Sequence, residues 1–199
     1  MLNIKQIALA LLSAVLCAPS IFAQTMTEPE SKEVSAYFTA LRENYAKVQS
    51  HSVTWETDKE RKSVLALFDK AAPENFLNAA LQWLARCPVD ARIYLMTAEA
   101  YAHMGRYEDN IRHRNMYFGL ITSIVNSGDG RSPGTAFKII ALEEEYNLIS
   151  YMRANVKHQR LEGMYDILDV VINGQPTIMY FDVSTYLQGI QRELDAAKR

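Results

Sequence analysis

The sequence predicts an α+β fold, with antiparallel helical hairpins in its first part and a small strand-rich part containing a β-hairpin behind them. Three observations predict it. Apolar residues recur at spacings of three and four from Val34 to Val125, the period of helices with one buried face. Eight turn formers, Asn126-Ser-Gly-Asp-Gly-Arg-Ser-Pro133, then interrupt the pattern. Beyond them, two β-rich runs flank Asn173-Gly174, the pair best suited to the positive φ angles of a type I′ turn.

The first element is a leader. Lys5 precedes the apolar run Ile7 to Leu16, followed by Pro19 and the small residue Ala23, the three-part layout of a secretory signal peptide with cleavage expected after Ala23. The run is shorter than a membrane span needs, and no later stretch is both long enough and free of charge. No integral span is therefore expected after removal of residues 1–23. A lipid anchor at Cys17 is disfavoured, because Leu16 is bulky where a lipoprotein signal wants a small residue. The expected destination is the periplasm or the exterior.

Residues 24–199 suffice for one domain with a real core or two small ones. The formal charge of the whole chain is −2, too mild to attract nucleic acid, and no block of like charge suggests a tail. Without Cys17, Cys87 stands alone, so no intramolecular disulfide can form although an exported compartment would permit one. Stability must come from packing, with Cys87 as a small buried hydrophobe near a helix end.

Five helical segments are expected before the junction. Thr27-Glu-Pro-Glu30 fits a capping box for a helix whose buried face is Val34, Tyr37, Phe38, Leu41, Tyr45 and Val48, with Lys32, Arg42, Glu43 and Lys47 outside. Gln49 to Glu56 has no helical period and loops, with Trp55 expected to pack onto the domain. A second capping box, Thr57-Asp-Lys-Glu60, opens a helix with the stripe Val64, Leu67, Phe68 and Ala71. Pro73 suits a first helical turn, and Phe76, Leu77, Ala80, Leu81 and Leu84 form the next stripe before Pro88. From Val89 to Val125 two further patterns meet at Gly105-Arg106-Tyr107 as a helical hairpin.

That hairpin resembles one tetratricopeptide repeat from Ala91 onward. Tyr94, Ala98, Tyr101, Gly105 and Tyr107 match its large aromatic, small contact residue, second aromatic, turn glycine and following aromatic. Asn110 and Arg114 depart from it, standing where the second helix carries an alanine and an aromatic. Ile111, Phe118, Ile121 and Val125 must supply the apolar face instead. The domains expected are thus a helical repeat-like domain at 24–125, a junction loop at 126–135 and a small α+β domain at 136–199.

In that last part, Ala136 to Leu142 reads as a strand and Glu143 to Arg153 as a helix burying Tyr146, Leu148 or Ile149, and Met152. Glu143 to Glu145 suit its first turn, where carboxylates favour the helix dipole. Val156 to Leu161, Tyr165 to Ile172 and Thr177 to Val183 read as strands. Pro176 cannot donate to a ladder, so its side of the strand should face an edge. Leu187, Ile190 and Leu194 suggest a last helix, docked loosely.

The stretches SGDGRSPGTAFKIIALEEEY (127–146) and YDILDVVINGQPTIMYFDVS (165–184) resemble an uncharacterised family of exported bacterial proteins, number four-nine-one-nine of the domains of unknown function. Its most specific words are the Ser-Gly-Asp-Gly loop, the Thr-Ala-Phe strand start and the Tyr-Phe-Asp strand end. The resemblance implies a Gram-negative envelope or secreted protein and transfers no catalytic residue. Gly134 departs from the acidic residue expected there.

Chemistry-bearing patterns are sparse. Asn126 and Asp129 offer one carboxylate where a calcium loop needs several. Arg131 has no phosphate-loop context, and His51, His103, His113 and His158 have no zinc-ligand spacing. Neither a nucleophile elbow nor a dinucleotide fingerprint occurs. No metal and no cofactor are expected, and no catalytic residue can be named. Arg106, Arg112, His113 and Arg114 read as a solvated face balanced by Glu108 and Asp109. The candidate partner-binding residues are Tyr94, Tyr101 and Tyr107 on the hairpin, with Asp129 and Arg131 at the junction. The expected function is a noncatalytic protein- or peptide-interaction module of the bacterial envelope. A hydrolase-type enzyme with a site between the two halves is the alternative.

Overall fold

The computed structural model describes residues 28–48, 50–69 and 72–198, with side chains from Lys32 onward. The leader, Cys17, Thr27 with the side chains of its capping box, and Ala71 lie outside them. The elements are α1 (Glu28–Lys47), a 3₁₀ turn (Trp55–Thr57), α2 (Lys59–Ala66), α3 (Pro73–Arg86), α4 (Ala91–His103) and α5 (Tyr107–Val125). A second 3₁₀ turn (Pro133–Thr135) leads to β1 (Phe137–Lys138), α6 (Leu142–Tyr151), β2 (Asn155–Glu162), β3 (Tyr165–Ile172), β4 (Gln175–Asp182) and α7 (Ser184–Ala197). The fold is α+β.

Local chemistry explains most boundaries. The N-cap of α2 is Asp58 rather than Thr57: its Oδ1 accepts from Glu60 N at 2.7 Å and Arg61 N at 3.2 Å, while Thr57 closes the 3₁₀ turn. Pro73 stands at the start of α3, where its missing N–H costs nothing. Gly105 turns the α4–α5 hairpin at φ 69°, a conformation that glycine adopts without strain. Asn110, which replaces the small residue of a repeat, donates to Ala98 O at 2.7 Å and so joins the two helices by a hydrogen bond. Helix α1 lies across this hairpin with Phe38 over Gly119, where a Cβ would stand 2.0 Å from the ring.

The sheet has the order β1-β4-β3-β2. The turn between β3 and β4 is Asn173-Gly174, at φ 51° and 78°, as a type I′ hairpin requires. Pro176 opposes Val171 of β3, while β1 pairs with β4 only at Phe181 and Asp182. The far side of β4 is therefore open at Pro176, as a residue without an N–H demands. The strand expected over 136–142 contracts to the two residues of β1, because Leu142 already begins α6.

One buried cluster runs from Phe38 through the hairpin to Phe181 and Val183. The burial pattern differs from the expected stripes at telling places. Val34, Tyr37, Leu67, Leu81, Ile111 and Tyr146 are exposed, whereas Arg42, Arg61, Trp83 and Glu143 to Glu145 are buried. Helix α7 reaches back to the helical part: Glu193 accepts from Val53 N and Thr54 Oγ1, both at 2.9 Å, and Arg192 donates to Ala46 O. Its Gly189 packs on Val53, so polar bonds and a close backbone approach add to the apolar packing of Tyr186 and Leu187.

Candidate functional site

Two constructions stand out: an aromatic cleft in the helical part and a buried acidic turn where the two parts meet. The cleft begins where α1 ends. Tyr45, on its last turn, stacks on His51 with ring centroids 4.4 Å apart and donates its hydroxyl to Ser52 O at 3.2 Å. This folds the loop back against the helix and brings Trp55 edge-on to Tyr45, 5.6 Å away. The end of α3 supplies the opposite wall with Trp83, Ala85, Arg86 and the C-cap residue Cys87. The resulting cleft has a volume of about 460 Å³.

Its floor is aromatic and its rim polar. Tyr45, Trp55, Trp83 and Cys87 are buried, while Ser50, His51, Ser52, Asp58 and Arg86 reach solvent in part. Arg86 holds its guanidinium 5.3 Å from the Trp83 ring centroid and pairs with Glu60. Behind the floor, Asp90 accepts from Trp83 Nε1 at 2.9 Å and from Arg61 at 2.6 and 3.2 Å. The same carboxylate caps α4 through Ile93 N. Burial, then the charge of Asp90, pushes the Cys87 thiol up to about 12, which favours the thiol over the thiolate.

The acidic turn opens α6. Glu143 pairs with Arg61 at 2.7 Å and Glu144 with Arg42 at 2.6 Å. Arg42 also donates to Ser123 Oγ and Lys138 O, and Ile140 N donates to Glu144. These bonds tie α1 and α2 to the start of α6. Glu145 differs: Gln159 Nε2 lies 3.4 Å from its Oε1 and 2.5 Å from Oδ2 of Asp166, and no cation pairs with it among the described residues. Glu145 has no exposed surface, so a substrate has no access to it in this arrangement.

The five residues singled out from sequence do not form one patch. Tyr94 and Tyr101 are buried on either side of His113, with centroids 5.8 and 5.0 Å away. Arg106 covers Tyr101 at 4.6 Å, while Tyr107 is 70% exposed at the hairpin turn. In the junction, Asp129 Oδ1 accepts from Arg131 N at 3.0 Å, and Asp129 N and Gly130 N both donate to Thr135 O. Gly130 O accepts from Tyr180 N, so the loop is fastened to β4 with Arg131 outside. No group of three or more metal-ligating side chains occurs among the described residues.

The family model described as "Domain of unknown function (DUF4919)" matches residues 30–192. The chain belongs to the DUF4919 family. Comparison with curated proteins and with solved structures found no match. The DUF4919 match spans both the cleft and the acidic turn.

Sequence reasoning missed Arg42, Arg61, Trp83, Asp90, Glu145 and Asp166. The signals were faint but physical. Three successive glutamates beside the run Phe137 to Leu142, apolar but for Lys138, meant that at least one had to face inward. Asp90, just after Pro88 and just before Ala91, stands at an N-cap position. Nothing local marks Arg42 or Arg61, whose partners lie 102 and 29 positions away.

Proposed function

We propose that this DUF4919 protein is a noncatalytic binding module of the bacterial envelope that takes a protein or peptide segment in the aromatic cleft. The observation that carries the proposal is a cleft with a polar rim over a floor of three aromatic rings, almost wholly buried and held in place from behind. Tyr45 is fixed by its bond to Ser52 and Trp83 by Asp90, and the loop carrying Trp55 is anchored by Glu193. Rings fixed before binding lose little conformational freedom on contact, which favours affinity. The rim cation Arg86, with His51 opposite, suits a segment that presents an apolar or aromatic side chain next to a carboxylate. A cleft of about 460 Å³ seats one or two large side chains rather than a folded surface. The envelope assignment rests on the leader pattern at residues 1–23.

The test is selection from a display library of random peptides on the purified protein, followed by affinity measurement on the selected peptides. Arg86→Glu and His51→Ala, both on the rim, should weaken binding at least tenfold, and Tyr107→Ala should leave it unchanged. Selected peptides indifferent to both rim changes, or no selection at all, would refute the proposal.

A further inference from the structure

The three glutamates at the start of α6 are treated differently by the fold. Arg61 and Arg42, the cations that reach this turn, are committed to Glu143 and Glu144. Glu145 lies beside another carboxyl, that of Asp166 on β3. A single amide, that of Gln159 on β2, bridges the two. The remaining oxygens, Glu145 Oε2 and Asp166 Oδ1, are buried with no hydrogen-bond partner among the described residues. Buried acceptors left unpaired are costly. Two of them on adjoining carboxyls are satisfied together by one hydrogen.

We propose that Glu145 and Asp166 hold one proton between Oε2 and Oδ1, an acid–carboxylate pair that pins α6 to the β2–β3 hairpin and loosens when the proton leaves. The surroundings keep that proton in place. On α6 itself the neighbours are Glu143 and Tyr146, whose hydroxyl is raised by burial and then by Glu145 and Asp166. The 3₁₀ turn before α2 adds Glu56, which burial raises and to which Tyr186 of α7 donates. On the β2 side, Arg160 is turned to Glu162 and Asp169. From α1 and α2 come Arg42 and Arg61, already paired, and from the cap of α4 comes Asp90, bound to Arg61. The α5 side chains nearby are Ser123, on Arg42, and Phe118, against Tyr151. Among the described residues the charge that bears on Glu145 is that of Asp166, and no cation pairs with either carboxyl.

Burial first, and then the Asp166 charge and hydrogen bond, raise the Glu145 carboxyl from its ordinary 4.5 to about 9. The unfolded chain ionises Glu145 near 4.5, whereas the fold keeps it protonated to about 9. Folding therefore takes up a proton between those values. This contribution to stability is whole below about 4.5, shrinks as pH rises to about 9 and falls no further above it. Within that window the folding equilibrium constant drops by up to roughly tenfold per pH unit from this pair.

The experiment is urea unfolding of the purified protein at pH 5, 7 and 9 for wild type, Glu145→Gln and Glu56→Gln. Infrared spectra at pH 7 are compared for wild type, Glu145→Gln and Asp166→Asn. The glutamine amide replaces the shared proton with a permanent donor. The Glu145→Gln profile should therefore be flatter than wild type and the variant more stable at pH 9, while Glu56→Gln keeps most of the wild-type slope. A protonated-carboxyl absorption present in wild type at pH 7 should vanish in Glu145→Gln and weaken in Asp166→Asn. The spectrum of wild type and Asp166→Asn decides the matter even if Glu145→Gln fails to fold. Parallel profiles for wild type and Glu145→Gln, or no protonated carboxyl in wild type at pH 7, would overturn the proposal.

Discussion

Asp90 joins more of the helical part than its single side chain suggests. Its fully buried carboxylate accepts from Arg61, from the Trp83 indole and from the first turn of α4. Removing it leaves a buried guanidinium with only Glu143 for company and an indole N–H without an acceptor. Asp90→Ala should therefore cost about 3–5 kcal/mol, the range found when one partner of a buried ion pair is deleted, as read by urea unfolding. Asp90→Asn keeps one oxygen, which at the Oδ1 position still caps Ile93 N and accepts from Arg61 Nη2, and should cost less. Such residues are the part of the molecule least legible beforehand. A charged residue on an amphipathic helix looks like surface, and Arg42 and Arg61 are inside because carboxylates distant in the chain meet them there. Cys87, expected as a small buried hydrophobe near a helix end, was legible from its own neighbourhood.

At the scale of elements, pattern and structure agree where the information is local. The Pro73 start, the Gly105 turn, the Asn173-Gly174 hairpin and the open flank at Pro176 each follow from the backbone needs of one or two residues. Boundaries governed by contacts elsewhere moved. The exposed face of α1 includes Val34 and Tyr37, since Phe38 and Arg42 are the side chains that find partners on α5 and α6. Gly119 is the clearest instance of such a constraint, being mid-helix and occupied by the Phe38 ring. Gly119→Ala should destabilise the protein by about 1–3 kcal/mol through overpacking, measured as a lowered urea midpoint. Much of that loss should return in the Gly119→Ala, Phe38→Leu double variant, where the smaller side chain makes room. Full additivity of the two changes would show that α1 does not rest on this contact.

At the scale of the molecule, the helical part and the sheet share one apolar cluster and are further joined by Arg42–Glu144 and Arg61–Glu143. Both tryptophans, Trp55 and Trp83, lie in the helical part. Their fluorescence and the hydrogen exchange of β3 amides should therefore report the same unfolding free energy, and a lower value for β3 would mean that the sheet opens alone. The candidate site belongs to this scale as well. Its walls come from α1, the loop after it and α3, so no single stretch displayed it, while on the hairpin Tyr94 and Tyr101 are buried and Tyr107 is exposed.

The most direct test of the binding proposal is a two-dimensional amide and indole NMR titration with a peptide selected on the protein. The account predicts shifts of the Trp55 and Trp83 indole N–H signals and of the His51, Ser52, Ala85 and Arg86 amides, with the Arg106-Tyr107 turn and the β2 edge unmoved. Perturbations confined to that turn or that edge, with both indoles still, would contradict it.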